Sequence, residues 1–246
     1  MARSNDAGHV VNVANFKKAI NILTSYGDKY APVKSQITIA ELEKVYTAAE
    51  KAIDQVAVTL TAYSKAVSDR TNLFKPLSKQ TTQLLNSFLV TDANQGLKDQ
   101  AKSLADKIRG MNNKTTDAMP AEMPAPADDE NKKYSTSQFS FVRRAANVKA
   151  FIQLVESENA FRNKPETLTK AFWDNIVNEI GLRNQLVDDS YSALTTARKE
   201  RDQLLYTPQT GLVDLANNGI KKELKGTFGA NSDEYRQISA ISFKNS

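Results

Sequence analysis

The run from Ile39 to Phe74 constrains this chain more than any other stretch. In alternating steps of three and four it aligns Leu42, Tyr46, Ala49, Ile53, Val56, Leu60, Tyr63, Val67, Arg70 and Phe74, and every one but Arg70 is apolar. A stripe of that period, about ten turns long at roughly 3.6 residues per turn, is what a helix needs to lie along other helices. A second seam follows about 131 residues later, through Trp173, Val177, Ile180, Asn184, Val187, Tyr191, Leu194, Arg198, Arg201 and Leu205. Two such elements point to an all-α fold, an elongated helical bundle.

Other matches keep nearly the same spacing. Asn15-Phe16-Lys17 returns as Asn147-Val148-Lys149, Pro32 as Pro165, Arg70-x-x-Leu73 as Arg201-x-x-Leu204, and Pro76 as Pro208, with an offset that drifts between 131 and 133. Their common order predicts an internal duplication of a helix–long helix–helix unit. The expected organisation is a first helical unit at residues 1–110, a linker at 111–137 and a second unit at 138–246. The linker holds three of the seven prolines and mostly small or acidic residues. It has too little apolar surface to offset chain entropy, so a flexible, partly polyproline segment is expected. Its acidic run Asp128-Asp129-Glu130 lacks the alternate ligand spacing and central glycine of a calcium loop, which makes it a solvated stretch.

Within the first half the turn signals are explicit. Val13, Phe16, Ile20 and Leu23 form the stripe of a first helix, which begins near Val10 and ends at Tyr26-Gly27-Asp28. Glycine takes the left-handed conformation that closes a helix at little cost. Thr38 with Glu41 has the spacing of a capping box for the long helix. Pro76 breaks that helix and suits the first turn of the next, which carries Leu77, Leu84, Leu85 and Phe88. Asp92 is the expected cap of a fourth helix through Leu97, Ala101, Leu104 and Ile108, with Gly110 beyond its end. The C-terminus differs: Ile238 to Phe243 alternates apolar and polar residues, as a short strand or an extended arm would. Tyr235, Ile238, Ile241 and Phe243 are therefore candidates for a self-association arm.

Composition removes most chemistry. The chain has no cysteine, which excludes disulfides, thiol catalysis and thiolate metal sites. Its one histidine, His9, lies in a small polar N-terminal segment and is read as solvated, leaving no usual base or metal ligand. No glycine-rich phosphate loop occurs, and no Glu-x-x-His pair of the kind di-iron bundles use. Asp188 and Asp189 are helix neighbours about 100° apart and do not converge; with Glu156 and Glu158 they read as solvated surface. No catalytic residue, metal ligand or cofactor is assigned, and an enzyme is not expected. The net charge of +5 comes from 33 basic and 28 acidic residues, with the excess mainly in residues 1–110. That is milder than nucleic-acid proteins show, and solubility alone accounts for it. The start MARSNDAGHVV lacks the apolar core of a secretory signal, and no window approaches the roughly 18 apolar residues of a membrane span. A cytosolic protein is the expectation, with signal-independent export equally compatible.

Three basic residues interrupt the seams: Arg70, Arg198 and Arg201. Near the ends of the long helices they meet the negative pole of the helix dipole, and can hold Asp69, Glu200 or Asp202. Their stems can cover apolar surface. The sharper alternative is an anion or phosphate pocket repeated in each half. Trp173, Tyr46, Tyr63 and Tyr191 keep heptad spacing and read as core rather than as a stacking platform for nucleic acid.

One resemblance is carried by the ends of the chain. The run R-D-x-x-L-Y-x-P-x-T-G-L-V-D-x-A from Arg201, then K-K, F-G-A-x-S-x-E-Y-x-Q-I and a closing I-x-F, resembles a family of small uncharacterised two-repeat helical proteins of Bacteroidota. The opening ARSNDAGHVVNVANF is similar to that family's start. The resemblance implies a bacterial origin; the family has no assigned activity, so no functional residue carries over. The function expected is a non-enzymatic structural or protein-interaction module, self-assembling or bound to a protein partner. The alternatives are a nucleic-acid-binding protein that uses the mildly basic helical surface, and a membrane-acting effector.

Overall fold

A computed structural model describes residues 5–110 and 136–245. The linker expected at 111–137, with its acidic run, falls outside the described residues except at its last two positions. Every regular element among the described residues is helical, and none is a strand. In chain order they are α1 (Asn5–Ser25), α2 (Ile39–Phe74), α3 (Leu77–Leu89), α4 (Gln95–Arg109), α5 (Thr136–Ser157) and α6 (Lys170–Tyr206). Three short helices follow, α7 (Leu212–Asp214), α8 (Lys221–Phe228) and α9 (Asp233–Ser239), with a π-helical segment (Leu215–Ile220) joining α7 to α8.

Local chemistry explains most of the boundaries. Gly27 at φ 52° and Gly110 at φ 74° take left-handed backbone just past α1 and α4. Pro76 stands at the N-cap of α3. α4 is capped by Asn94 rather than Asp92: the Asn94 side chain accepts from the Leu97 amide at 3.0 Å. The capping box at Thr38 is replaced as well. Its hydroxyl donates to the Ser35 carbonyl at 3.0 Å, across a 3-10 turn, and Glu41 pairs with Lys44. The corresponding Thr169 does cap, accepting from the Phe172 amide at 3.2 Å.

The chain packs as two compact units that cut across the halves expected from the sequence. One is Met1–Ser64 with Ser190–Ser246, the other Lys65–Asp189. The reason lies in the long helices, since α2 and α6 each contribute their first part to one unit and their last part to the other.

In the first unit, Phe16, Ile20 and Leu23 of α1 are fully buried with Leu42 of α2 and Leu205 of α6. Leu212, Leu215, Ile220, Leu224, Ile238, Ile241 and Phe243 close that core. A smaller cluster, Val56, Leu194 and Ala197 with Leu60 and Tyr63, pairs α2 with α6. The Tyr63 and Tyr191 rings lie 5.6 Å apart, and Val56 packs with Leu194 and Ala197, so the two helices run antiparallel here.

The second unit is built from α3, α4, α5, the end of α2 and the start of α6. Trp173, Phe88, Phe151, Leu77, Leu84 and Ile108 are completely buried in its core. Each such side chain contributes about 1.5–3 kcal/mol through removal from water. The indole of Trp173 donates to the Thr167 carbonyl at 2.8 Å, which satisfies its one polar atom.

Burial along the two long helices has one template. Of seven buried positions in α2, Leu42, Ala49, Val56, Ala66, Arg70 and Phe74 have buried counterparts 131 residues later: Trp173, Ile180, Val187, Ala197, Arg201 and Leu205.

Candidate interaction surface

The seam arginines are interior groups. Arg70 is 3% exposed and stacks its guanidinium 4.4 Å from the Phe141 ring centre. Asp69 turns to Lys65 and Arg183 instead, and the Lys65 ammonium holds its carboxyl below the usual range. Arg201 is 5% exposed and grips Asp202 through Nε at 2.9 Å and Nη2 at 2.8 Å. This is the neighbour pairing expected from the sequence, made by a buried stem. Arg198 is half-buried beside Thr195, Lys199, Asp202, Gln203, Tyr206 and Thr207. All of these lie on α6 except Thr207, the residue after its end, so an anion here would be held from one side only. Arg198 and Arg201 thus belong to the first unit and Arg70 to the second. In the second unit Arg144 stands 4.7 Å from the Phe74 ring and donates from Nε to the Ile108 carbonyl at 3.0 Å. Burial lowers its pKa.

The C-terminal residues read as a self-association arm lie on their own chain. Ser232 caps α9, accepting from the Tyr235 amide at 3.1 Å, so Tyr235 and Ile238 are helical rather than extended. Beyond α9 the chain runs without regular structure beside α1. Asn15 donates to the Ser242 carbonyl at 2.8 Å, and Asn12 both donates to the Lys244 carbonyl at 2.8 Å and accepts from its amide at 3.1 Å. Lys221 donates to the Ile241 carbonyl at 2.8 Å and lies over the Phe243 ring. Burial pushes its pKa down. Ile238, Ile241 and Phe243 are buried, and Phe243 meets Phe16 edge-on. The alternation expected from Ile238 to Phe243 holds only over Ile241–Phe243, and the surface that covers these residues belongs to the same unit.

His9 is a correction too. It is 4% exposed, with Nδ1 2.7 Å from the Tyr206 hydroxyl, and Asn12 donates to that hydroxyl at 3.3 Å. Burial is the first cause of the raised Tyr206 pKa; Asp202 adds to it, while the Asn12 bond and Arg201 oppose it. The signal was present: His9 sits four residues before Val13 and so prolongs the stripe Val13, Phe16, Ile20 and Leu23.

What remains exposed is more informative. In the first unit α2 carries no charge from Gln55 to Ser64, and α6 carries none from Ser190 to Ala197. Along α2 the outer positions of this span are Ala57, Val58, Thr61 and Ala62, with Val58 63% exposed. Along α6 they include Tyr191, Ser192, Ala193, Thr195 and Thr196, with Tyr191 38% exposed. Sequence reasoning followed the seams inward and missed this outer face; charge-free windows alone would not have singled it out, since Gln80–Thr91 and Gln203–Val213 are longer.

Among the described residues no group of three His, Asp or Glu side chains is placed to hold a metal ion, and no helix is long and apolar enough to cross a membrane. Comparison with protein-family models, with curated proteins and with solved structures yields no match to this chain.

Proposed function

We propose that this chain is a non-enzymatic, self-assembling structural or protein-interaction module. Its docking face is the neutral span of α2 and α6, Gln55–Ser64 and Ser190–Ala197. The observation that carries the reading is the loss of charge on the outward side of both helices at the same place. A second copy meets a twofold interface with the same patch, so a charge beside the axis would face its own kind, and a neutral patch avoids that repulsion. On a chain of net charge +5, a neutral face is where a like molecule approaches at least electrostatic cost. Ala57, Ala62, Ser192 and Ala193 are small enough for close helix approach. Val58 and Tyr191 supply apolar area.

The absence of cysteine gives a clean test. A single Val58→Cys substitution puts the only thiol of the chain on this face. Mild oxidation is expected to yield a disulfide-linked pair for Val58→Cys and none for Lys29→Cys, an exposed position on another turn. Equal cross-linking at the two positions would remove the reading.

The shared burial template of α2 and α6 supports the internal duplication. So do the 3-10 turns before both long helices, Ser35–Ile37 and Glu166–Leu168, and the buried arginine near the end of each.

A further inference from the structure

We infer that the two half-chains, residues 1–110 and 136–246, are obligate partners of one another. The protein is then a tethered heterodimer of two related subunits. This rests on how the cores are assembled and is independent of the docking face proposed above.

The main core of the first unit takes nine buried residues from the first half, Val13 through Ala49, and ten from the second, Leu205 through Phe243. The core of the second unit takes nine from the first half, Phe74 through Ile108, and eight from the second, Val148 through Ile180. Neither half owns either core. Released alone, each half would present two half-cores to water, and at about 25 cal/mol per Å² that is prohibitive for a marginally stable chain.

The exchange is reciprocal. In the first unit the helix before one long helix, α1, packs against the short helices that follow the other, α7 and α9. In the second unit α5 packs against α4, and the 3-10 turn Glu166–Leu168 packs against α3. Specific polar contacts join the halves in both units. His9 reaches Tyr206 and Asn12 grips Lys244 in the first. In the second, the Ser87 hydroxyl donates to the Ala160 carbonyl at 3.0 Å and accepts from Arg162 Nε at 2.7 Å, both across the halves. The partner surface of each half is thus an apolar seam with a few buried polar anchors, and the partner it fits is a half-chain of the opposite kind. A tether between such partners raises their effective concentration to about the millimolar range without making a contact itself.

The test uses the full chain with a site for a specific protease placed between residues 111 and 135. After complete cleavage, the two fragments are expected to elute together at micromolar concentration. The far-ultraviolet circular dichroism should stay unchanged, and a single unfolding transition should become concentration-dependent. Separation of the fragments in native buffer, or survival of one folded fragment alone, would overturn the inference. A circular permutant that joins residue 246 to residue 1 and opens the chain between 110 and 136 provides a second measurement. Asn12 binds Lys244 directly, so the described segments to be joined already meet. The permutant is expected to fold with the circular dichroism of the parent, and failure to fold would count against the inference as well.

Discussion

Arg201 and Arg198 lie three residues apart on α6 and do different work. Arg201 is buried, with its stem in the interior and its guanidinium on Asp202, whereas Arg198 is half-buried on the helix surface. Truncating the first removes charge-assisted bonds and packing together. Arg201→Ala is expected to lower stability by about 2 kcal/mol, and Arg198→Ala by no more than about 0.5 kcal/mol. Urea unfolding of the two variants checks this; equal losses would show that both are surface groups. At this scale the sequence was readable in part. The apolar seam members Leu42, Val56, Trp173 and Leu194 are buried as their spacing required. Polar residues were misjudged, because periodicity says which face a residue occupies and nothing about whether a partner waits there. His9 is the example: its face was readable, but Tyr206, 197 residues away, was not.

Among the elements, the long helices and their stops were the most legible, since Pro76, Gly27 and Gly110 act through local backbone chemistry. The last quarter of the chain was the least legible. Its short helices are stabilised by what they cover, and the tail after α9 is held by Asn12 and Asn15 of α1. Two glycines show how context decides. A Cβ on Gly211 would sit 2.6 Å from the Thr207 amide nitrogen and 2.7 Å from the Thr207 carbonyl oxygen, in the tight turn after α6. A Cβ on Gly181, exposed inside α6, would meet nothing within 4 Å. Gly211→Ala is therefore expected to destabilise by about 2 kcal/mol or more, and Gly181→Ala to stabilise by about 0.5–1 kcal/mol through helix propensity. Thermal unfolding of both variants measures the contrast. Shifts of the same sign would mean that the turn at Gly211 relaxes freely.

For the whole molecule, the all-α class followed from the seams alone. The way the halves combine did not, because a duplicated pattern is equally consistent with two separate bundles and with two cores built from shared parts. Long-range partners such as Phe16 with Phe243 and Phe74 with Phe141 leave no trace in local periodicity. The neutral span of α2 and α6 is exposed in the first unit, and on the proposal above a second copy covers it. Light scattering on size-exclusion fractions, repeated over a range of concentrations, measures this most directly. The chain is expected to pass from its own 27.2 kDa to twice that mass, while a Val58→Lys, Ala62→Lys variant with unchanged circular dichroism stays at the single-chain mass. A wild-type chain that remains at one mass throughout, or a charged variant that doubles as readily, would contradict it.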